Sequence, residues 1–259
     1  MKSGFKRVFM CDNTFDGIMT GIYDAYYSGL KEYETDVLEN TVSERELMSE
    51  YVNVITDEIK AKKVQAAIRN KISEETLGRM YTVFNSSYER RGSIIYKYIR
   101  LGFKVGYKIN NMLTDERVLR VNDICRKVGR ENNKLLGFVR FKELNNGVLY
   151  SQISPEHNQL EFIAPHFTER LHSENWIIYD DNRDIACVHE KNKGWYITEL
   201  EKDFVEMLVN EYSVTEEYEE LWKAFFSSIA IKERNNPRCQ RQMMPKKYWK
   251  NMLEMQDKL

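Results

Sequence analysis

Apolar positions in this chain recur at helical spacing through its first half and in strand-like runs after about residue 135, and that change of period predicts its architecture. Residues 5–11, FKRVFMC, are short and β-prone, and Asp12-Asn13-Thr14 follows as a turn able to cap a helix. Ile18, Met19, Ile22, Ala25, Tyr26 and Leu30 then mark an amphipathic helix over 15–30. The next stretch is mixed, and Ser43-Glu44-Arg45-Glu46 fits either a capping box or a polar loop. Apolar stripes over 56–70, 73–88, 92–105 and 115–130 predict a helical subdomain of antiparallel neighbours joined by short polar links. Leu77, Tyr81 and Phe84 mark one stripe, and Val118, Val121, Cys125 and Val128 another.

Beyond these, LLGFVRFKEL (135–144) and VLYSQIS (148–154) flank Asn145-Asn146-Gly147 and read as a hairpin, because Asn-Gly supplies the positive φ such a turn needs. Leu160 and Ile163 precede Pro165, and Phe167 and Leu171 follow it. Proline disrupts a helix interior, so a break is expected there, with a new helix over 165–172. WIIYD (176–180), IACVHE (185–190) and GWYITEL (194–200) predict a meander. Leu221, Trp222, Phe225, Phe226 and Ile229 predict a helix leading into the final segment. The expected fold is α+β: a helical N-terminal subdomain, an antiparallel sheet of hairpin plus meander, then C-terminal helices. The expected division is 1–134, mostly helical with a short N-terminal strand, and 135–259, unless the two form one integrated domain.

Composition narrows the function classes. With 42% apolar and 31% charged residues the chain has the balance of an ordinary globular protein, and four prolines leave little room for long linkers. A net charge of −1 means that any affinity for a polyanion must come from a local patch. Cys11, Cys125, Cys187 and Cys239 are widely spaced and form no CxxC pair, so no metal site and no cofactor is expected from them. No signal-peptide run or membrane-length apolar segment is evident, and reduced thiols in a cytoplasmic protein are the expectation. GxGxxG, P-loop, GxSxG and kinase motifs are lacking.

The patch is at the end of the chain. Residues 230–250, AIKERNNPRCQRQMMPKKYWK, carry seven cations against one acid, Glu233. Arg234, Arg238, Arg241, Lys246 and Lys247 suit phosphates, and Tyr248 and Trp249 suit base stacking; equally, the rings can be core anchors with the cations on the outer face. Arg140 alternates with Phe138, Val139 and Phe141, which as a strand puts it on an open sheet surface or in a cross-strand salt bridge. Asp12 and Asp16 flank a strand-to-helix turn and fit either an acid–base pair or helix caps. His166 and Arg170 share a helix face and fit either proton transfer beside a phosphate or a structural hydrogen bond. No HxxxH or HExxH spacing supports a histidine metal site.

Several blocks together carry a resemblance: Asp12-x-Thr14-Phe15-Asp16-Gly17, Gly137-Phe138-Val139-Arg140-Phe141, Ala164-Pro165-His166-Phe167, Trp222 ahead of Ile231-x-Glu233-Arg234-Asn235-x-Pro237, and Gln242-Met243-Met244-Pro245-Lys246-Lys247-Tyr248-Trp249. In this order, and over nearly the whole chain, they resemble a bacterial family of unknown function associated with DNA metabolism and DNA repair. The resemblance implies a radical-SAM protein as partner, and some relatives are fused to a uracil-DNA glycosylase domain. The sequence here carries neither that domain nor a three-cysteine radical-SAM motif, so radical chemistry is expected of the partner.

The leading expectation is a DNA-metabolism protein that binds nucleic acid through its basic C-terminal segment. The alternatives are a protein-interaction adaptor without affinity for nucleic acid, and a nucleobase- or phosphodiester-processing enzyme using His166 and Arg170 with Asp12 or Asp16.

Overall fold

A computed structural model describes residues 6–42, 45–212, 225, 228 and 236–258. The chain forms two compact units, Met1–Val128 and Gly129–Leu259. The fold is α+β, with two sheets.

In the first unit, strand β1 (Lys6–Cys11) leads through helix α1 (Phe15–Tyr27) to β2 (Thr35–Glu39), and β3 (Ser49–Asn53) follows. The three strands are parallel in the order β2-β1-β3, with Val8 opposite both Asp36 and Tyr51. Helices α2 (Glu58–Lys71), α3 (Glu74–Phe84) and α4 (Arg91–Val105) come next. Asp57 and Ser73 cap α2 and α3 through side-chain oxygens, satisfying backbone N–H groups that a helix start leaves open. The apolar stripe of α1 (Ile18, Met19, Ile22, Ala25) is buried, as its spacing demanded.

β2 and β3 fall in the stretch whose sequence pattern is mixed. All five residues of β2 are buried, although three of them are Thr35, Asp36 and Glu39. Each of the three polar side chains has its own partner. Lys6 bridges Asp36 at 3.0 Å, Arg91 Nε donates to Glu39 at 3.0 Å, and Thr35 pairs with the Tyr96 hydroxyl. Polar residues in a buried strand erase the alternation on which recognition of a strand relies.

The second unit begins inside helix α5 (Glu116–Phe138). This corrects the expected first hairpin strand, because residues 135–138 are helical and Arg140 does not stand on a sheet. The buried positions Val128, Glu131, Leu135 and Val139 continue a helical stripe, and a dense apolar run leaves period two and period 3.6 hard to separate. Only Lys142–Glu143 remains as β4, paired with β5 (Leu149–Ile153) across a turn in which Gly147 has φ 77°. Helix α6 (Leu160–Arg170) then runs unbroken through Pro165, which corrects the expected break. The ring removes one backbone bond, while Leu160, Ile163, Ala164 and Phe167 bury the face that holds the helix together.

Strands β6 (Trp176–Asp180), β7 (Ile185–His189) and β8 (Trp195–Glu199) form the meander. The sheet order is β4-β5-β6-β7-β8, and β5 with β6 is parallel, so the expected wholly antiparallel sheet is corrected as well. The physical reason is α6, a crossover that returns the chain in the same direction. Helices α7 (Lys202–Tyr212) and α8 (Pro237–Met243) follow, then 3-10 turns at Lys246–Asn251 and Leu253–Lys258. The helix expected over 221–229 falls largely outside the described residues, as does Ser43-Glu44.

Two glycines in the first unit behave oppositely. A Cβ on Gly92, at the start of α4, meets the Val37 carbonyl oxygen at 2.9 Å, whereas one on Gly78 in α3 meets nothing within 4 Å. Gly92→Ala is therefore expected to destabilise the protein by about 1–3 kcal/mol, since backbone must move. Gly78→Ala is expected to add up to ~1 kcal/mol through helix propensity. Urea unfolding of the two variants measures both.

Candidate functional site

The basic C-terminal segment is sorted by the fold into anchored and presented groups. Tyr248 and Trp249 are buried among Leu135, Ile163, Trp176 and Met252, so they are packing anchors and their rings are not offered to a base. Trp249 Nε1 donates to the Met244 carbonyl at 2.9 Å. The Tyr248 hydroxyl donates to Glu131 Oε1 at 2.8 Å.

Glu131 is 5% exposed. It also accepts from the backbone N–H of Glu156 at 2.9 Å, the N–H of His157 at 2.8 Å and Lys247 Nζ at 3.1 Å. Burial opposes its charge, but these hydrogen bonds and the Lys247 ammonium outweigh burial and hold the carboxyl below the usual glutamate value. Sequence reasoning missed Glu131. Its signal was available: an acid occupies a core position in the stripe Val121, Ile124, Val128, Leu135.

Other cations are also spoken for. Lys247 reaches Glu156 at 3.1 Å, and Lys250 reaches Asp181 at 2.9 Å. Arg140 Nη2 pairs with the nearly buried Glu254 at 2.8 Å, and Nη1 donates to the Gly137 carbonyl at 2.7 Å near the end of α5. That placement replaces the expected open-sheet position with a salt bridge and a helix-end contact. Arg238, Arg241 and Lys246 are exposed and have no acidic partner among the described residues. Arg238 and Arg241 lie three residues apart on α8, which Asn236 caps, and Lys246 Nζ sits 5.4 Å from the Trp249 ring centre. Arg234 lies outside the described residues.

His166 and Arg170 lie on α6 in the second unit; His166 is half-buried with its ring edge-on to Phe167, and Arg170 is exposed. Asp12 and Asp16 belong to the first unit, where they line a crevice of about 840 Å³ at the carboxyl end of the parallel sheet. Thr14, not an aspartate, caps α1 by accepting from the Gly17 N–H at 2.9 Å. Asp12 accepts from the Thr14 N–H at 3.1 Å and from the hydroxyls of Thr14 and Thr56. Its burial is outweighed by these bonds, which keep the carboxyl below the usual aspartate value. A Cβ on Gly17 would lie 1.9 Å from Asp12 Oδ1, so glycine is what admits the carboxylate there. Asp16 accepts from Gln65 at 2.8 Å through Oδ1. Thr56 and Gln65 were invisible to motif reading, because only the fold brings them to this turn.

Together the fold and these groups define a two-unit α+β protein with a polar crevice in one unit and exposed cations in the other. Residues 89–254, well over half of the chain, match the family described as "Domain of unknown function (DUF4130)", and the chain belongs to that family. No curated protein matches it significantly. Among the described residues, no helix is long and apolar enough to cross a membrane.

Because the Glu131 carboxyl lies below its unfolded value, its stabilisation is complete above the ordinary glutamate range, ~4.3, and is lost as pH falls through the depressed folded value. Glu131→Gln is expected to cost about 1.5–3 kcal/mol at neutral pH, the scale of hydrogen bonds to a charged group, and to flatten the loss of stability in acid. Denaturant titration across a pH series from ~7 to ~3 reads both effects.

Proposed function

We propose that this protein acts in DNA metabolism with a radical-SAM partner and binds nucleic acid by contacting phosphates through α8 and the turn after it. The observation that carries the reading is the exposure of Arg238, Arg241 and Lys246 without acidic partners among the described residues, whereas Lys247 and Lys250 are paired with acids. Tyr248 and Trp249 hold the turn in the core, so the cations are displayed from a fixed anchor. With both rings buried, the expected contact is to backbone phosphate, with little sequence preference.

The adaptor reading is favoured by one feature of the same helix. Met243 is 67% exposed, an apolar group that suits a protein partner better than a phosphate backbone. Under that reading, complex formation with the radical-SAM protein survives nuclease treatment.

Three phosphate contacts predict a slope of log affinity on log salt of roughly −2 for single strands and roughly −2.7 for duplex. Arg238→Glu combined with Arg241→Glu is expected to weaken binding at least roughly tenfold and to flatten that slope. Fluorescence anisotropy with labelled DNA at two salt concentrations tests it. Affinity that is unchanged and insensitive to salt rejects this surface.

A further inference from the structure

The crevice beside Asp12 and Asp16 lies where ligands gather in parallel sheets. β1 is flanked by β2 on one side and β3 on the other, and the segments leaving β1 and β3 run side by side at the carboxyl edge, where α2 packs on α1. Asp12 follows β1 and Thr56 follows β3, and their hydrogen bond spans the floor of the opening. The volume, about 840 Å³, falls in the range of small-molecule sites, roughly 300–1,000 Å³.

One wall is apolar and aromatic. Phe15 meets Tyr81 edge to face at 5.2 Å and Phe84 at 5.6 Å, with Leu77 alongside. A flat ring is the shape such a wall accommodates.

The polar side is selective by charge. Glu74 is paired with Arg69 at 2.9 Å and Glu58 with Lys62 at 2.9 Å. Asp12 and Asp16 have no cation bonded to them among the described residues; their partners are Thr14, Thr56 and Gln65. Asp16 Oδ2 has no protein donor among the described residues, and Asp12 Oδ2 has one. Both carboxylates therefore retain capacity to accept hydrogen bonds from a ligand. The Gly17 N–H, at the start of α1 where an anion would otherwise be drawn, is already taken by Thr14. A phosphate is disfavoured by two carboxylates with no cation bonded to them among the described residues, whereas hydroxyl donors are matched.

We propose that this crevice binds a nucleoside without its phosphate, the base against the Phe15–Tyr81–Phe84 wall and the sugar hydroxyls donating to Asp12 and Asp16. The binding does not depend on the basic C-terminal segment, so it can fail or succeed separately from the phosphate surface. A polyamine would satisfy the carboxylates but leave the aromatic wall unfilled.

The test is isothermal titration calorimetry on the whole chain with adenosine, guanosine, cytidine and uridine, the corresponding 5′-monophosphates, and spermidine. At least one nucleoside is expected to saturate a single site, with its monophosphate at least roughly tenfold weaker. Asp16→Asn, which keeps an oxygen for Gln65, is expected to weaken binding by a similar factor. Gly78 lines the crevice in open space, so Gly78→Phe is expected to obstruct it and abolish binding without lowering the melting temperature. The proposal is overturned if no nucleoside binds in the millimolar range or if Gly78→Phe leaves binding intact. It is equally overturned if the monophosphate binds as tightly, or if spermidine binds and the nucleosides do not.

Discussion

A carboxylate buried in the second unit dictates where its last segment goes. Removing an ionised glutamate from water costs several kcal/mol, and that cost is offset only if its lone pairs are filled and its charge is met. Glu131 meets this demand with two backbone N–H groups, one hydroxyl and one ammonium. The hydroxyl and ammonium come from consecutive residues, Tyr248 and Lys247, so satisfying Glu131 fixes the register of the C-terminal chain. Once that register is fixed, Trp249, Met252 and Met255 fall into the core beside Leu135 and Ile163. Each large apolar side chain so buried contributes about 1.5–3 kcal/mol, which is how a costly buried charge and a gain in packing support one another.

The first unit uses the same device at its sheet. Asp36 and Glu39 are buried on β2, and their partners Lys6 and Arg91 come from β1 and the start of α4. Arg91 also donates to Asn13 at 2.5 Å and to the Phe84 carbonyl at 2.6 Å. One guanidinium thus ties the end of β2 to the loop after β1 and the end of α3. Those are the elements that frame the crevice, so buried charge on a strand positions the acids at its edge.

How much of this was legible in the sequence depended on whether side-chain polarity agreed with burial. Where the two agreed, as in α1, the 73–84 helix and the 176–199 meander, periodicity located the elements to within a few residues. β2 was lost because its polar residues are inside. The end of α5 was read as a strand because Leu135, Leu136, Phe138 and Val139 form an apolar run that fits both periods. α6 was broken in two by a proline rule that tertiary packing overrides. The site behaved likewise. Asp12-x-Thr14-x-Asp16 was visible as a turn, but Thr56 and Gln65 reach it only through the parallel pairing of β1 with β3 and the packing of α2 on α1.

Counting charge along a chain differs from counting charge that a ligand can meet. The sequence places seven cations in the final basic stretch, yet Lys247 and Lys250 are engaged with acids of their own unit. The two rings that made the stretch look fit for base stacking supply its packing instead. Among the described residues, what the fold leaves outward without an acidic partner is a smaller set, Arg238, Arg241 and Lys246. The crevice of the first unit is the reverse, since Asp12 and Asp16 have no cation bonded to them among the described residues and its wall is aromatic. A net charge of −1 therefore conceals two surfaces of opposite character: one presents cations with no acidic partner among the described residues, and the other sets two carboxylates beside an aromatic wall.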